Sequence, residues 1–448
     1  MKILALIDGE HYPPVTRDAL FSIKDDVEAA VFMGGTEKIG SIEELTEYLD
    51  LPIYRGSDHS LLNLIDLIVS ACKKHRIQKV LDLSGEPVVN SIIRFQIGSV
   101  LMKEGVQYSG ADFHFTPPPS RDVLEKPSMM VIGTTKRVGK TAISGYIART
   151  LKGNGYTPCI VTMGRGGPPE PEVIRGDTIE LTPSYLLDQA NMGKHAASDH
   201  WENALISRVI AVGCRRCGGG MAGAPFTSNV VKGAEVANTL DVDFVIMEGS
   251  GITLPPVRTD TCVVVVGAHQ PIESIEKYFG PFRILKADLA IVMMCEEPMA
   301  SPEKVRTIEQ ILKEVNPRIS QAHCVFRPQP LGQITGKKVA LATTTPPAIL
   351  ETKIVPYLEE TFDCKVVGAS PHLSNRPKMR KDLEQFLPAA DVLLTEVKAS
   401  SIDVATREAL DQGVDVVYMD NVPHVVDGDI ENKDLEKAVI HLAQEASQ

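Results

Sequence analysis

The sequence predicts an α/β protein in which a doubly wound, mostly parallel sheet forms a core flanked by two smaller α/β domains. Three observations carry that expectation. Short apolar, β-rich runs alternate with helical segments along the chain, proline clusters interrupt the alternation twice, and a glycine-rich turn joins a strand to a helix just after the first interruption. Strands separated by helices pair in parallel, because each helix returns the chain to the same edge of the sheet.

The first segment opens with Ile3-Leu4-Ala5-Leu6-Ile7, which reads as a buried strand ending in Asp8-Gly9-Glu10-His11. A strand at Ala29–Met33, helices at Ile42–Leu49 and Ser60–Lys73, and a strand at Lys79–Leu83 follow. Thr116-Pro117-Pro118-Pro119-Ser120 then ends a first domain, 1–120. A core domain at 127–330 has expected strands Met129–Ile132, Cys159–Met163, Val209–Val212, Asp243–Met247, Cys262–Val266 and Leu289–Met294. Arg327-Pro328-Gln329-Pro330 marks the next break. A third domain, 335–448, has strands at Lys338–Ala342, Cys364–Val367, Asp391–Thr395 and Val414–Met419, with helices at Ala348–Thr361 and Ile402–Gln412.

A chain of 448 residues exceeds one ordinary core, which agrees with several domains. The net charge of −12 argues against broad nucleic-acid binding, which needs a basic surface to displace counterions. No apolar run approaches the roughly 20 residues of a membrane span. The opening MKILALIDGE lacks a signal-peptide layout, and eight scattered cysteines make no secreted disulfide framework, so a cytoplasmic protein is expected.

The strongest chemical signal is Gly133-Thr134-Thr135-Lys136-Arg137-Val138-Gly139-Lys140-Thr141, between an expected strand and an expected helix, Ala142–Leu151. In that context it is a phosphate loop, and the core is expected to be a P-loop NTPase fold. Gly139 lets backbone amides curl around a β-phosphate, Lys140 places a cation between β- and γ-phosphates, and Thr141 offers a hydroxyl to Mg²⁺. Gly133, Thr134, Arg137 and Val138 complete the ATP-binding set, with Lys136 beside Lys140 as a candidate catalytic cation. Gly133 stands one residue earlier than the usual first glycine. The buried run Phe244-Val245-Ile246-Met247-Glu248 ends in a carboxylate suited to hold Mg²⁺ with Thr141, followed by Gly249-Ser250-Gly251.

Two further glycine-rich stretches follow expected strands. Met163-Gly164-Arg165-Gly166-Gly167-Pro168 and Gly213-Cys214-Arg215-Arg216-Cys217-Gly218-Gly219-Gly220 bring arginines to the carboxyl ends of the sheet, where α/β proteins bind ligands. Arg165, Arg215, Arg216 and Arg258, with His11 from the first domain, are the candidate ligands of an anionic substrate. Cys214 and Cys217 supply at most half a zinc site.

The loop variant resembles Gly-Thr-x-x-x-Val-Gly-Lys-Thr/Ser of dethiobiotin synthetases and cobyrinate-type amidases, and Glu248-Gly249-Ser250-Gly251 resembles their Glu-Gly-x-Gly element. Partition ATPases carry a signature lysine where this chain has Thr135. Over nearly its whole length the chain resembles the cyclic 2,3-diphosphoglycerate synthetase family. The residues concerned are Ala5–Val15, Gly133–Thr141, Gly164-Arg165-Gly166-Gly167-Pro168 and Gly213–Gly223. That resemblance implies an ATP-dependent ligase that cyclises 2,3-bisphosphoglycerate with release of ADP and phosphate, acting as a homodimer. The alternatives are another cyclo-ligase or amidase of the dethiobiotin type, and a nucleotide-switch metallochaperone using Cys214 and Cys217.

Overall fold

Apolar runs become strands buried on both faces, and the helices between them cover those faces. The computed structural model describes residues 1–23, 26–56 and 60–448, which divide into two units. One comprises Met1–Pro118 with Glu273–Lys286, and the other comprises Pro119–Ile272 with Ala287–Gln448.

In the first unit, β1 (Ile3–Ile7), β2 (Val27–Phe32), β3 (Ile53–Arg55), β4 (Lys79–Asp82), β5 (Gln107–Ser109) and β6 (His114–Phe115) pair in the order β3-β2-β1-β4-β5-β6. Every pair is parallel except β5 with β6. The expected helix Ile42–Leu49 forms with those bounds, with the Ser41 side chain accepting from the Glu44 amide at 3.1 Å. The next helix runs Leu61–His75, and Ser60 is its N-cap rather than its first residue. The segment Glu273–Lys286 joins this unit through Phe279, whose ring stands 5.1 Å from that of Phe95 and 4.9 Å from that of Phe115.

The second unit is built on one long sheet. Its strands are β7 (Ser128–Gly133), β8 (Pro158–Gly164), β9 (Glu172–Arg175), β10 (Ile210–Cys217), β11 (Thr227–Ser228), β12 (Phe244–Glu248), β13 (Thr261–Gly267), β14 (Leu289–Met293), β15 (Ser320–Pro330), β16 (Lys338–Ala342), β17 (Lys365–Ser370), β18 (Val392–Thr395) and β19 (Asp415–Gly428). The order is β11-β10-β8-β12-β7-β13-β14-β15-β19-β18-β16-β17, with β9 antiparallel to β10. Two parallel halves are therefore joined through one antiparallel pair, β15 with β19.

That pair is where sequence and structure differ most. Arg327-Pro328-Gln329-Pro330 lies inside β15 rather than in a break. Beyond Cys324 the strand has lost β14 and keeps only β19 as a partner. Leu331 donates to the Tyr418 carbonyl at 2.8 Å, so by alternation the bonds to β19 fall on odd-numbered residues. Pro328 and Pro330 occupy the other positions, where no N–H is needed.

The helices bind the halves together. The helix Lys140–Gly153 packs in a cluster that also holds Leu435, Val439, Leu442 and Ala443 of the last helix, Leu435–Ala446. A second cluster joins Leu186, Trp201 and Ala204 to Val397, Ile402 and Tyr418. Among the described residues no helix is long and apolar enough to cross a membrane.

Candidate active site at the phosphate loop

Strand β7 ends at Gly133, and the helix Lys140–Gly153 begins seven residues later with Gly139 as its N-cap at φ +97°. A side chain is excluded at Gly139 twice over: by its positive φ and by Phe326, whose ring would stand 2.5 Å from an added Cβ. Lys140 folds back across Gly133, where an added Cβ would meet Nζ at 2.9 Å. Its ammonium donates to the Thr135 carbonyl at 3.2 Å. Burial pushes the Lys140 pKa down to about 8. Glu248 and Asp199 oppose that shift, while Arg165 and Arg216 reinforce it. The loop thus holds a buried cation that an arriving phosphate would stabilise. Lys136 and Arg137 are exposed on the loop, Arg137 at φ +66°, and the buried Thr134 hydroxyl has no partner.

Glu248 ends β12, the neighbour of β7, with its Cα opposite that of Val131. It is 1% exposed. Thr141 Oγ1 donates to one carboxylate oxygen at 2.7 Å, and Asn203 Nδ2 donates to the other at 2.6 Å and lies 3.1 Å from Thr162 Oγ1. Burial raises the Glu248 pKa to about 8, and Asp199 adds to the rise against Thr141, Asn203 and Lys140. The Thr141 hydroxyl and the buried Glu248 carboxyl, with the charge of Asp199 acting on it, offer oxygen donors of the kind that fit Mg²⁺. Mg²⁺ takes only one or two carboxylates and completes its shell with phosphate and water. Among the described residues no group of three His, Cys, Asp or Glu side chains could hold a metal by itself.

Two arginines converge on Gly251, which has φ +63°. A Cβ there would lie 3.0 Å from Arg165 Nη2 and 3.6 Å from Arg216 Nη2. Arg216 donates to the carbonyls of Gly218 at 2.7 Å and Ser250 at 2.9 Å, and its Nε is buried without a partner. Burial and the nearby Arg165 lower its pKa. Like charges held together beside Lys140 make a receptor for a polyanion.

The remaining sequence candidates are dispersed. Arg215 lies on the other side of β10 with its side chain exposed, so the Arg215–Arg216 pair does not act as one clamp. Arg258 is exposed, 3.9 Å from Asp122. It stands two residues before Asp260, whose carboxylate takes the Ser128 amide at 2.9 Å, so it belongs to the amino-terminal edge of the sheet, opposite the loop. His11, in the first unit, has Nδ1 2.6 Å from Asp8 Oδ1, while Asp8 Oδ2 accepts from the Gly85 amide at 2.7 Å. Cys214 is buried and Cys217 exposed, and three residues apart on a strand they face opposite ways.

Asp199 and Asn203 escaped the sequence reading. Both lie on the helix Asp199–Ser207, one turn apart, among Trp201, Ala204, Leu205 and Ile206. The available signal was an i,i+4 polar pair on a helix whose other polar residues, His200, Glu202 and Ser207, are buried.

A phosphate loop, a cation folded over it and an acid on the adjacent strand end define a P-loop nucleotide-binding enzyme. Three family descriptions match the chain: the cyclic 2,3-diphosphoglycerate synthetase N-terminal domain at 2–116, its P-loop domain at 128–325 and its C-terminal domain at 330–422. The chain is 52% identical to a cyclic 2,3-diphosphoglycerate synthetase from Methanothermus fervidus, covering 99% of this chain and 97% of that one. It is 50% identical to one from Methanothermobacter thermautotrophicus, over 99% and 96%, and 49% identical to one from Thermococcus kodakarensis, over 98% of each. The chain belongs to the cyclic 2,3-diphosphoglycerate synthetase family.

Proposed function

We propose that the chain uses MgATP to close 2,3-bisphosphoglycerate into cyclic 2,3-diphosphoglycerate, releasing ADP and phosphate. The observation that carries this is the convergence of Lys140, Arg165 and Arg216, none of them ion-paired with a carboxylate among the described residues, beside the Thr141–Glu248 pair. A substrate with two phosphates and a carboxylate needs such a receptor before its own like charges can approach each other. Lys140 and the loop amides hold the ATP phosphates, and Arg165 and Arg216 hold the acceptor.

The γ-phosphoryl group passes to one substrate phosphate, breaking the bond to ADP and forming a P–O–P linkage. An oxygen of the second substrate phosphate then attacks the inner phosphorus of that linkage and expels inorganic phosphate, which closes the ring. Held on adjacent arginines, the two phosphates react within one molecule, so the ring closure needs no second encounter. Thr141, Glu248 and Asp199 would hold Mg²⁺, which supplies neutralisation of the developing phosphate charge. In this reading the segment 127–330 holds ATP, 1–120 and 335–448 are the domains before and after it in the chain, and the enzyme is a cytoplasmic homodimer.

The test is a phosphorus NMR time course of enzyme, MgATP and 2,3-bisphosphoglycerate. Paired signals of a cyclic pyrophosphate appearing with ADP and phosphate are expected. ATP consumption with the bisphosphoglycerate signals intact would reject the acceptor. Light scattering at low concentration checks the dimer.

A further inference from the structure

The helix Asp199–Ser207 touches the phosphate-loop acid on one side and the C-terminal half of the sheet on the other. Asn203 holds Glu248, and one residue earlier Glu202 pairs with Lys398 at 3.1 Å. Lys398 comes from the turn after β18, where Glu396 stands 4.0 Å from it. Glu396 is already held by Thr343, Thr344 and Asn421, at 2.9, 2.8 and 3.1 Å. Burial works against charge on Lys398, but Glu202 and Glu396 outweigh it and keep its pKa above the lysine range.

Around this ion pair the helix is bedded in apolar side chains: Trp201 and Ala204 against Val397, Ile402 and Tyr418. Such contacts hold the helix on the sheet but are non-directional; its rotation is set by directional contacts, His200 with Glu172 at 3.1 Å and Glu202 with Lys398. The Glu202–Lys398 pair is directional, and Asn203 is the next residue along. A rotation that released Glu202 would carry Asn203 off Glu248. Glu202 is 6% exposed and its pKa is raised to about 7 by burial, so without Lys398 it would sit uncompensated in the interior or swing toward water.

We infer that Lys398 is a positioning residue for the phosphate-loop site: through Glu202 it sets the helix that aims Asn203 at Glu248 and brings Asp199 beside Lys140. This rests on Glu248 being the acid beside the transferred phosphate, as proposed above. It also gives the C-terminal segment a task in catalysis without any contact to substrate.

The experiment compares full-length Lys398→Met, Lys398→Arg, Asn203→Ala and the Lys398→Met/Asn203→Ala double variant, each with a thermal melt. ADP release is measured with MgATP alone and with 2,3-bisphosphoglycerate added. Lys398→Met should lower kcat about tenfold, as loss of an outer-shell support does. Both KM values should stay within about threefold, and Lys398→Arg should recover most of the rate. The double variant should be no slower than Asn203→Ala alone, because the lysine acts through the asparagine. Unchanged kcat in Lys398→Met, losses that multiply in the double variant, or a rise confined to the KM for bisphosphoglycerate would each overturn the inference. If Lys398→Met fails to fold, the neutral pair Glu202→Gln/Lys398→Met replaces it, with the same expected loss of kcat. A wild-type enzyme that hydrolyses ATP without forming cyclic product would count against the proposed function. The comparison of variants on ATP alone would still stand.

Discussion

Two carboxylates, Glu248 and Glu396, sit at the carboxyl ends of two buried strands of one sheet, 1% and 2% exposed, and their environments push them in opposite directions. Burial raises Glu248 to about 8. The same burial acts on Glu396, yet Lys398, Thr344, Asn421 and Thr343 together hold it below the usual carboxylate value. Position in the fold is shared; satisfaction is not. At Glu396 the protein supplies the compensating charge and donors itself, and the group is finished as a structural clasp. At Glu248 it supplies two donors and a second acid, so part of the compensation must come from outside. Lys140 and the Arg165–Arg216 pair repeat that incompleteness in the opposite sign. Charges left for a ligand to neutralise mark the site; charges neutralised from within mark the scaffold.

Removing the central cation should separate the two regions most sharply. Lys140→Ala should reduce turnover by about 10³-fold or more, since the lysine acts on a transferring phosphoryl group. The melt should hold or rise, because a buried cation with a depressed pKa adds nothing to folding at neutral pH. ADP release within a few-fold of wild type would end the phosphate-loop assignment. Next in size is the acceptor receptor. Arg165→Ala and Arg216→Ala should each lower kcat/KM for bisphosphoglycerate about 10- to 100-fold, the loss of one charge-assisted contact, with ATP affinity changed only a few-fold. Equal losses for both substrates would place the arginines on ATP.

Exchanging the two acids for glutamine tests the comparison directly. Glu396→Gln should destabilise the chain by about 3 kcal/mol, the order expected when one partner of a buried pair is removed, with little direct effect on chemistry. Glu248→Gln should do the reverse, losing activity and Mg²⁺ dependence while keeping or gaining stability. The sign with pH follows. A group whose folded pKa lies above its unfolded value of 4.5 contributes stability below pH 4.5 that is lost as pH rises through about 8. The wild type should therefore lose stability relative to Glu248→Gln between those limits, as read by denaturant midpoints. A constant difference would show that Glu248 titrates normally.

Much of this was legible in the sequence because it was local. The phosphate loop is nine consecutive residues flanked by a strand and a helix, and Glu248 announces itself at the end of an apolar run. The strand ends carrying Arg165 and Arg216 were legible for the same reason. Asp199 and Asn203 were not, since the site residues they act on lie 41 or more residues away and nothing local distinguishes a functional from a solvated polar side chain. The joining of two half-sheets through β15 and β19 was hidden by Pro328 and Pro330, whose effect depends on which neighbour a strand has lost. The placement of Glu273–Lys286 with the first unit depends on aromatic contacts about 160 to 190 residues apart in the chain.

The smallest expected effect is also informative. Sequence reasoning gave Arg215, Arg216 and Arg258 one role; the structure separates them. Arg258 lies at the opposite edge of the sheet with an exposed partner, and such surface pairs contribute about 0–1 kcal/mol. Arg258→Ala should therefore leave both kcat and both KM values within about twofold. Arg215 is exposed on the far side of its strand from Arg216, yet its backbone is fixed, donating to Asn229 Oδ1 at 2.7 Å while its carbonyl accepts from the Asn229 amide at 3.2 Å. Arg215→Ala keeps those backbone bonds, so it removes only a solvated charge and should cost at most a few-fold in kcat/KM for bisphosphoglycerate, screened further by salt. Steady-state kinetics of Arg215→Ala beside Arg216→Ala at low and high ionic strength decides the matter. A loss from Arg215→Ala as large as that from Arg216→Ala, and insensitive to salt, would mean that the loop Gly213–Gly223 turns over when substrate binds and that Arg215 enters the receptor.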